Sequence, residues 1–419
     1  MSRLCRLTTK FRFPPITLVF ILIGSLLGPP RCVAQSTPQS DPFADLHPVP
    51  SSTTPATIEE PWWRQHTLFR REFFLQTVAR ETTHSPNDRS SLFNRHSIGF
   101  EWLRRFQSRT STVATCDLQA RLVRRDNYLP VVQDMEGVDR IPWSFEYHNA
   151  YCDIFNPLSF LLSAEDAASF VGKLNARIGR FYLPLGINLA TDTHGTVLQL
   201  SNDQNLGFER DWYAGVWGAL SPTVSYDVYY LVGSGYEFRS DGQSGLGGFR
   251  IGTGPEIKNR WGLEAGFGTI VGERLARQHA PPSPPTSGTN VIRTTRFGPD
   301  LRYTIPTEIG SFIFTNEASF GADNNENTAI HLHQVGFLDT SRRYGANLQF
   351  RQQWLEKSDK SSEDLHGVSR SLFYDLSWYI ANDLANSRLH WINLSIEHIL
   401  ESQTRGSGSL ISLQYYRYW

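Results

Sequence analysis

Apolar and polar side chains alternate along the chain from about residue 66 onward, which predicts β-strands rather than helices. Tyr374 and Leu376, for example, alternate with Asp375. A strand with one apolar and one polar face lies between two different environments. The same alternation is found in 112–122, 143–151, 224–232, 344–351 and 371–380.

The alternating segments are roughly 9–13 residues long, which suits tilted transmembrane strands better than the roughly 5–6 residues usual in globular sheets. We predict sixteen strands, near 66–80, 94–106, 112–125, 143–155, 173–183, 210–219, 224–233, 247–254, 261–272, 292–304, 311–320, 329–337, 344–355, 371–381, 388–400 and 409–419. Short connections alternate with long ones, as periplasmic turns and extracellular loops do in outer-membrane barrels. There are two exceptions: 156–172 is long and includes a predicted short helix, Ala164–Phe170, and at 255–260 the pattern does not define the strand ends.

These features predict an all-β fold, namely one transmembrane antiparallel β-barrel of about 16 strands over residues 66–419. Closure is required because hydrocarbon offers no partner to the backbone groups of an open sheet edge. A soluble β-domain with its apolar faces turned inward is the alternative. Tryptophans near the segment ends favour the membrane barrel because they suit an aromatic girdle: Trp102, Trp143, Trp212, Trp261, Trp354 and Trp391.

The composition agrees with a barrel. Mean hydropathy is -0.35, which argues against many apolar helices but not against a barrel, whose two faces cancel in the average. The formal net charge of -1 gives no reason to expect nucleic acid as a partner. An aromatic content of 13% argues against a disordered chain.

Residues 1–34 have the features of a cleaved signal peptide, with an uncleaved anchor as the alternative. Basic residues precede an apolar run from Ile16 to Leu27, and small residues end at Ala34. The segment holds five basic residues and no acidic one, so its removal changes the formal charge from -1 to -6. Residues 35–65 are rich in Ser, Thr and Pro and predict a flexible periplasmic leader. We therefore expect the bacterial outer membrane as the location.

The chain ends on an aromatic residue, Trp419, and Leu413 and Tyr415 fall on the same face of the last predicted strand. This ending resembles the C-terminal signal by which outer-membrane barrels reach their assembly machinery, although Arg417 departs from the apolar pattern. The expected partners are outer-membrane lipid, the barrel assembly machinery and small solutes. Trimers are common among such barrels, so a homotrimer is a further expectation, but nothing in the sequence marks a trimer face.

The stretch 171–218 carries the most specific local motif. Gly179-Arg180-Phe181 is followed by Pro184-Leu185-Gly186, then by Phe208-Glu209-Arg210 and a Gly-rich return strand. This stretch resembles the phosphate-selective porin family, and the resemblance implies a sixteen-stranded porin. That family has a dense ladder of Arg and Lys in its lumen. The lumen faces inferred here are mixed in charge, so phosphate selectivity does not carry over.

The polar faces of the predicted strands supply the pore-lining candidates: Glu101, Asp117, Arg121, Glu146, Arg177, Asp227, Glu317, Arg351, Asp375 and Glu397. The long connection 184–209 is the candidate constriction loop, because charged and amide groups in a loop folded into the lumen would control what passes. Its candidates are Asp192, His194, Asn202 and Asp203. A loop exposed on the surface is an alternative that the sequence supports equally well. We predict a passive channel for small polar solutes or ions, without strong preference for either charge sign.

The sequence supports an enzymatic function less well than a channel, and we predict no catalytic residue, metal or cofactor. Thr83–Ser90 faintly resembles the active-site stretch of outer-membrane phospholipase A, but His84 and Ser85 are adjacent, so in a strand they face opposite ways. An occluded structural barrel is a third possibility. His331 and His333 share a strand face, which we assign to a solvated lumen pair rather than a metal site.

The cysteines that follow the signal are Cys116 and Cys152, on neighbouring predicted strands. Strict alternation along each strand places Cys116 toward lipid and Cys152 toward the lumen. We therefore expect no disulfide between them.

Overall fold

Each alternating segment forms a strand, and the sixteen strands hydrogen-bond in chain order into a closed antiparallel barrel, in which the last strand pairs with the first. This computed structural model describes residues 66–82, 92–107, 112–125, 143–187, 206, 208–235, 244–275, 291–324, 326–356, 367–383, 388–401 and 408–419. The strands are β1 Thr67–Thr82, β2 Leu92–Gln107, β3 Thr112–Arg125, β4 Trp143–Phe155, β5 Asn175–Tyr182, β6 Arg210–Ser221, β7 Val224–Leu231, β8 Gly245–Thr253, β9 Leu263–Leu275, β10 Val291–Pro306, β11 Gly310–Asp323, β12 Glu326–Asp339, β13 Tyr344–Leu355, β14 Gly367–Asp383, β15 Arg388–Glu401 and β16 Gly408–Tyr418.

The predicted fold class and strand number are confirmed. The helices that begin and end within the described ranges lie in the two connections that the alternation left irregular. The β4–β5 connection contains a 3-10 helix, Pro157–Phe160, and an α-helix, Ala164–Ala168, which the Ser163 side chain caps by accepting from the Asp166 backbone N–H. The β8–β9 connection contains helix Pro255–Trp261. In the part of the chain that the structure describes, no helix is long and apolar enough to cross a bilayer.

Exposure alternates along the strands and distinguishes an outer from an inner face. On β16, Ile411 and Leu413 are exposed on the outside, whereas Ser412 and Gln414 are buried on the inside. On β14, Leu376 and Trp378 are outside and Asp375 is inside. The barrel thus presents an apolar band outward and keeps most of its polar groups inward, as expected for a barrel in a bilayer.

A β-bulge in β4 overturns the assignment of the two cysteines. Leu118 pairs with Ala150 but Ala120 pairs with Tyr147, so β4 has two residues opposite Gln119 where a regular ladder has one. The extra residue reverses the alternation beyond it. Cys152 therefore lies on the outer face directly opposite Cys116, and the two form a disulfide.

The same bulge turns Tyr151 inward, whereas strict alternation placed it with the outward residues Trp143, Phe145 and Tyr147. Both predictions about Cys152, its lumen position and its free thiol, were wrong for one reason. A period of two carries no information about where a strand gains a residue.

Two other assignments also change. Trp391 was grouped with the aromatic girdle, but it is buried on the inner face of β15 against Tyr379 and Tyr416. His331 and His333 are not a lumen pair, because they lie on the outer face of β12, and His333 Nδ1 is 2.6 Å from the Asn316 Oδ1 of β11.

The predicted signal (1–34), leader (35–65) and phospholipase-like stretch (Thr83–Ser90) lie outside the described residues.

Candidate functional site

The chain leaves β5 at Tyr182 and turns into the barrel. The backbone N–H of Leu183 donates to the carbonyl of Glu209 at 3.0 Å, so the beginning and the end of the long β5–β6 connection lie side by side. Between them, the described residues Leu183–Ile187 enter the lumen. We call Leu183–Ile187 the inserted segment.

The inserted segment packs on an apolar part of the inner wall. Leu183 and Leu185 are at most 3% exposed, although they belong to a connection rather than to a strand. They contact inward-facing side chains of β6 to β9, and Gly268 of β9 leaves space for Leu185. The burial of this apolar surface stabilises the insertion. The complete cluster is Leu183, Leu185, Leu206, Phe208, Tyr213, Tyr229, Leu231, Leu246 and Ile270.

Arg180, just before the insertion, joins three parts of the barrel. β4 and β5 pair only over 150–155 with 175–180, so the β4 backbone before residue 150 has no ladder partner in β5. The fully buried guanidinium of Arg180 donates to the carbonyls of Tyr147 and His148 there, at 2.6 and 2.8 Å. It also donates to the Gly235 carbonyl at 2.9 Å.

Asp211 holds the start of the β7–β8 connection in place. Its carboxylate, which is 0% exposed, accepts from the backbone N–H groups of Gly233 at 2.5 Å and Gly235 at 3.0 Å. Gly235 in turn lies against the ring of Phe208, where a β-carbon would come within 2.9 Å. Arg180 at the start of the β5–β6 connection and Phe208 at its end therefore both contact Gly235.

At its far end, the inserted segment reaches β11, two strands beyond β9. The backbone N–H of Ile187 donates to Glu317 Oε1 of β11 at 3.0 Å, and both residues are buried. Glu317 is cross-strand neighbour to Asp300, which accepts two hydrogen bonds from Arg250, at 2.5 and 2.9 Å. The end of the inserted segment thus lies in a network of ionic side chains.

All ten pore-lining candidates lie on the inner face, and each of them contacts a partner. Arg351 and Glu397 lie 3.5 Å apart, and Arg121 is directly opposite Glu146 across β3 and β4. Asp375 accepts from Asn393, Asn347 and Ser395. The other contacts are Glu101 with Arg70, Arg121 with Glu72, Glu146 with Arg95 and His148, Arg177 with Asp153, Asp227 with Tyr213, Glu317 with Ile187, and Asp117 with Asn149.

Several inner charged residues were missed by the sequence analysis. On β1, Arg70 and Glu72 alternate with outward Phe69, Arg71 and Phe73, a signal that would have identified them. Others are Arg95, Asp153, Arg250, Glu264, Arg274, Arg296, Asp300, Arg302 and Asp323. The constriction candidates Asp192, His194, Asn202 and Asp203 lie outside the described residues.

Comparison with known proteins gives a structural likeness only. No protein-family model matches the chain, and no curated protein matches it. Among solved structures, the chain is similar to Pseudomonas putida OprB at high pH, with a TM-score of 0.55 and 10% identity over 85% of this chain and 95% of that one. It is also similar to Salmonella typhi OmpF in complex with daunomycin, with a TM-score of 0.52 and 10% identity over 84% of this chain and 97% of that one. At such low identity these matches establish the fold.

Proposed function

We propose that this protein is a porin-like channel of the bacterial outer membrane, through which small polar solutes or ions diffuse passively. The observation that carries the proposal is a closed sixteen-strand barrel with an apolar outer band and ionic side chains along its inner wall. A barrel of this size leaves an aqueous interior, and the polar wall suits hydrated solutes. The fold shared with OprB and OmpF supports the same function.

The inner wall also favours a narrow passage. Many inward polar side chains are at most 7% exposed, among them Glu101, Arg121 and Asp375. Water reaches more of Glu264, Arg302 and Asp323, whose side chains are 19–25% exposed. The same burial supports an occluded structural barrel as the second candidate function.

Conductance in planar bilayers distinguishes the two functions. We expect single-channel current steps from the folded protein, with a K⁺ to Cl⁻ permeability ratio within about 3-fold of unity. The reason is that most inner carboxylates lie beside guanidinium groups, so little net field remains along the passage. Folded protein that inserts but gives no current steps would support the occluded barrel instead. A strong preference for anions would support the phosphate-selective porin resemblance of residues 171–218.

We also propose that the protein is a homotrimer in which the outer face of β11–β13 contacts another copy. Asn316 and His333 lie opposite each other at the middle of β11 and β12, and His331 adds a third polar group on the same face. Polar groups at the middle of the outer band are costly to expose to hydrocarbon, and contact with a second subunit removes that cost.

Replacing both Asn316 and His333 with leucine tests the trimer. We expect wild-type protein to contain three copies by light scattering in detergent, and the double variant to be a folded monomer. His398→Leu, on the outer face of β15, is the matched control and should leave three copies. A wild-type monomer, or a variant that stays trimeric, would contradict the proposed interface.

A further inference from the structure

We propose that Glu317 is the positioning residue of the constriction: its carboxylate holds the end of the inserted segment (Leu183–Ile187) at β11, so that this segment narrows the passage. The inference rests on the proposed channel function, but the position of the inserted segment can be tested without current measurements. Glu317 is one of the predicted pore-lining charges. The contact with the Ile187 backbone gives it a different role.

The length of the inserted segment shows that it runs inside the barrel wall rather than along the sheet. β5 and β11 are six strand spacings apart, about 29 Å along the wall at about 4.8 Å per spacing. Five residues extend at most about 18 Å. The chain from Leu183 to Ile187 therefore cannot follow the sheet to β11; it runs inside the wall of β6 to β9, and the Glu317 side chain reaches inward to accept from Ile187.

The inserted segment is held by different contacts at its start and at its end. Leu183 and Leu185 fill the space in front of β6 to β9 with apolar contacts, which exclude water. These contacts hold the segment near its start, whereas the hydrogen bond to Glu317 holds its end. A charge-assisted hydrogen bond between buried groups is among the stronger polar contacts, so its loss should free Ile187 from the β11 wall.

Three variants separate positioning from a simple effect of charge. Glu317→Gln removes the charge but keeps an oxygen acceptor for the Ile187 N–H, whereas Glu317→Leu removes both. Glu397→Leu is the matched control, because Glu397 contacts Arg351 on the wall rather than the inserted segment. Each change is made in a Leu185→Cys background, and the rate of thiol labelling by a membrane-impermeant maleimide is measured on the folded protein in vesicles. The disulfide removes Cys116 and Cys152 as competing thiols.

We expect labelling at position 185 to be at least 10-fold faster with Glu317→Leu than with either Glu317→Gln or Glu397→Leu. In bilayers, Glu317→Leu should add open-channel noise and raise conductance, whereas Glu317→Gln should change only the reversal potential. Equal labelling rates in all three variants would overturn the positioning role even if the channel conducts. Faster labelling without any current in wild type would keep the positioning role and reject the channel. If Glu317→Leu does not fold, equal labelling of Glu317→Gln and Glu317→Ala decides against the proposal, and faster labelling of Glu317→Ala decides for it.

Discussion

Replacing Gly179 with valine will prevent assembly of the barrel. Gly179 has a φ of 120°, a conformation that a β-branched residue does not adopt without strain. A β-carbon there would lie 2.2 Å from the Ala150 carbonyl oxygen and 2.6 Å from the Tyr151 Cα, both backbone atoms of the paired strand. The variant should lose more than about 4 kcal/mol of stability. The measurement is the folded, heat-modifiable band on a gel after refolding into detergent micelles, which we expect to be absent.

Gly247→Val is the matched control for that experiment. Gly247 lies in β8, and a β-carbon there would meet nothing within 4 Å. Its φ lies outside the left-handed region. The variant should therefore fold with a yield near that of wild type. Equal folding of the two variants would show that the close contact between β4 and β5 at Gly179 is not needed for closure.

Removing one partner of the buried pair Arg121–Glu72 will destabilise the barrel by about 3–5 kcal/mol, because the remaining charge loses its ion-pair partner in a site that excludes water. Both side chains are 0% exposed, and Glu72 also accepts from Gln119 at 3.2 Å. We expect this loss for Arg121→Met in urea unfolding titrations in lipid vesicles. Arg370→Met, which breaks the half-exposed pair with Glu401, should cost less than about 1 kcal/mol.

The double variant Glu72→Met, Arg121→Met completes the test. Replacing a buried ion pair with apolar residues of similar volume is often close to neutral. The double variant should therefore recover most of the stability that Arg121→Met loses, which gives a large interaction energy in the double-mutant cycle. If the double variant loses as much free energy of unfolding as the two single variants together, Arg121 and Glu72 contribute to stability independently.

The motif at 171–218 was visible in the sequence, but its physical role was not. Gly179 permits close approach of β5 to β4, and Arg180 supplies donors to the carbonyls that the β4 bulge leaves without partners in β5. Leu185 and Phe208 belong to the buried cluster that covers the inner wall of β6 to β9. These roles depend on groups far apart in sequence, such as Gly235 and Ile270, that only the closed barrel brings together.

The pattern along the chain determined the fold class and the strand number. A strand between hydrocarbon and a polar interior must alternate, and sixteen such segments without a tolerated open edge must close. Alternation also placed charged residues such as Asp375 and Glu397 inward, because burial against lipid penalises them on the outer face.

The tertiary structure decided what a period of two does not encode. The β4 bulge reversed the side of Cys152 and joined it to Cys116, since one added residue changes the face of every later position. The register of β12 with β11 placed His333 beside Asn316 on the outside, against the expectation that polar groups face the lumen. The inserted segment lies inside the barrel because buried leucines and one carboxylate, Glu317, stabilise that position. Those contacts join distant strands, so they exist only once the barrel has closed.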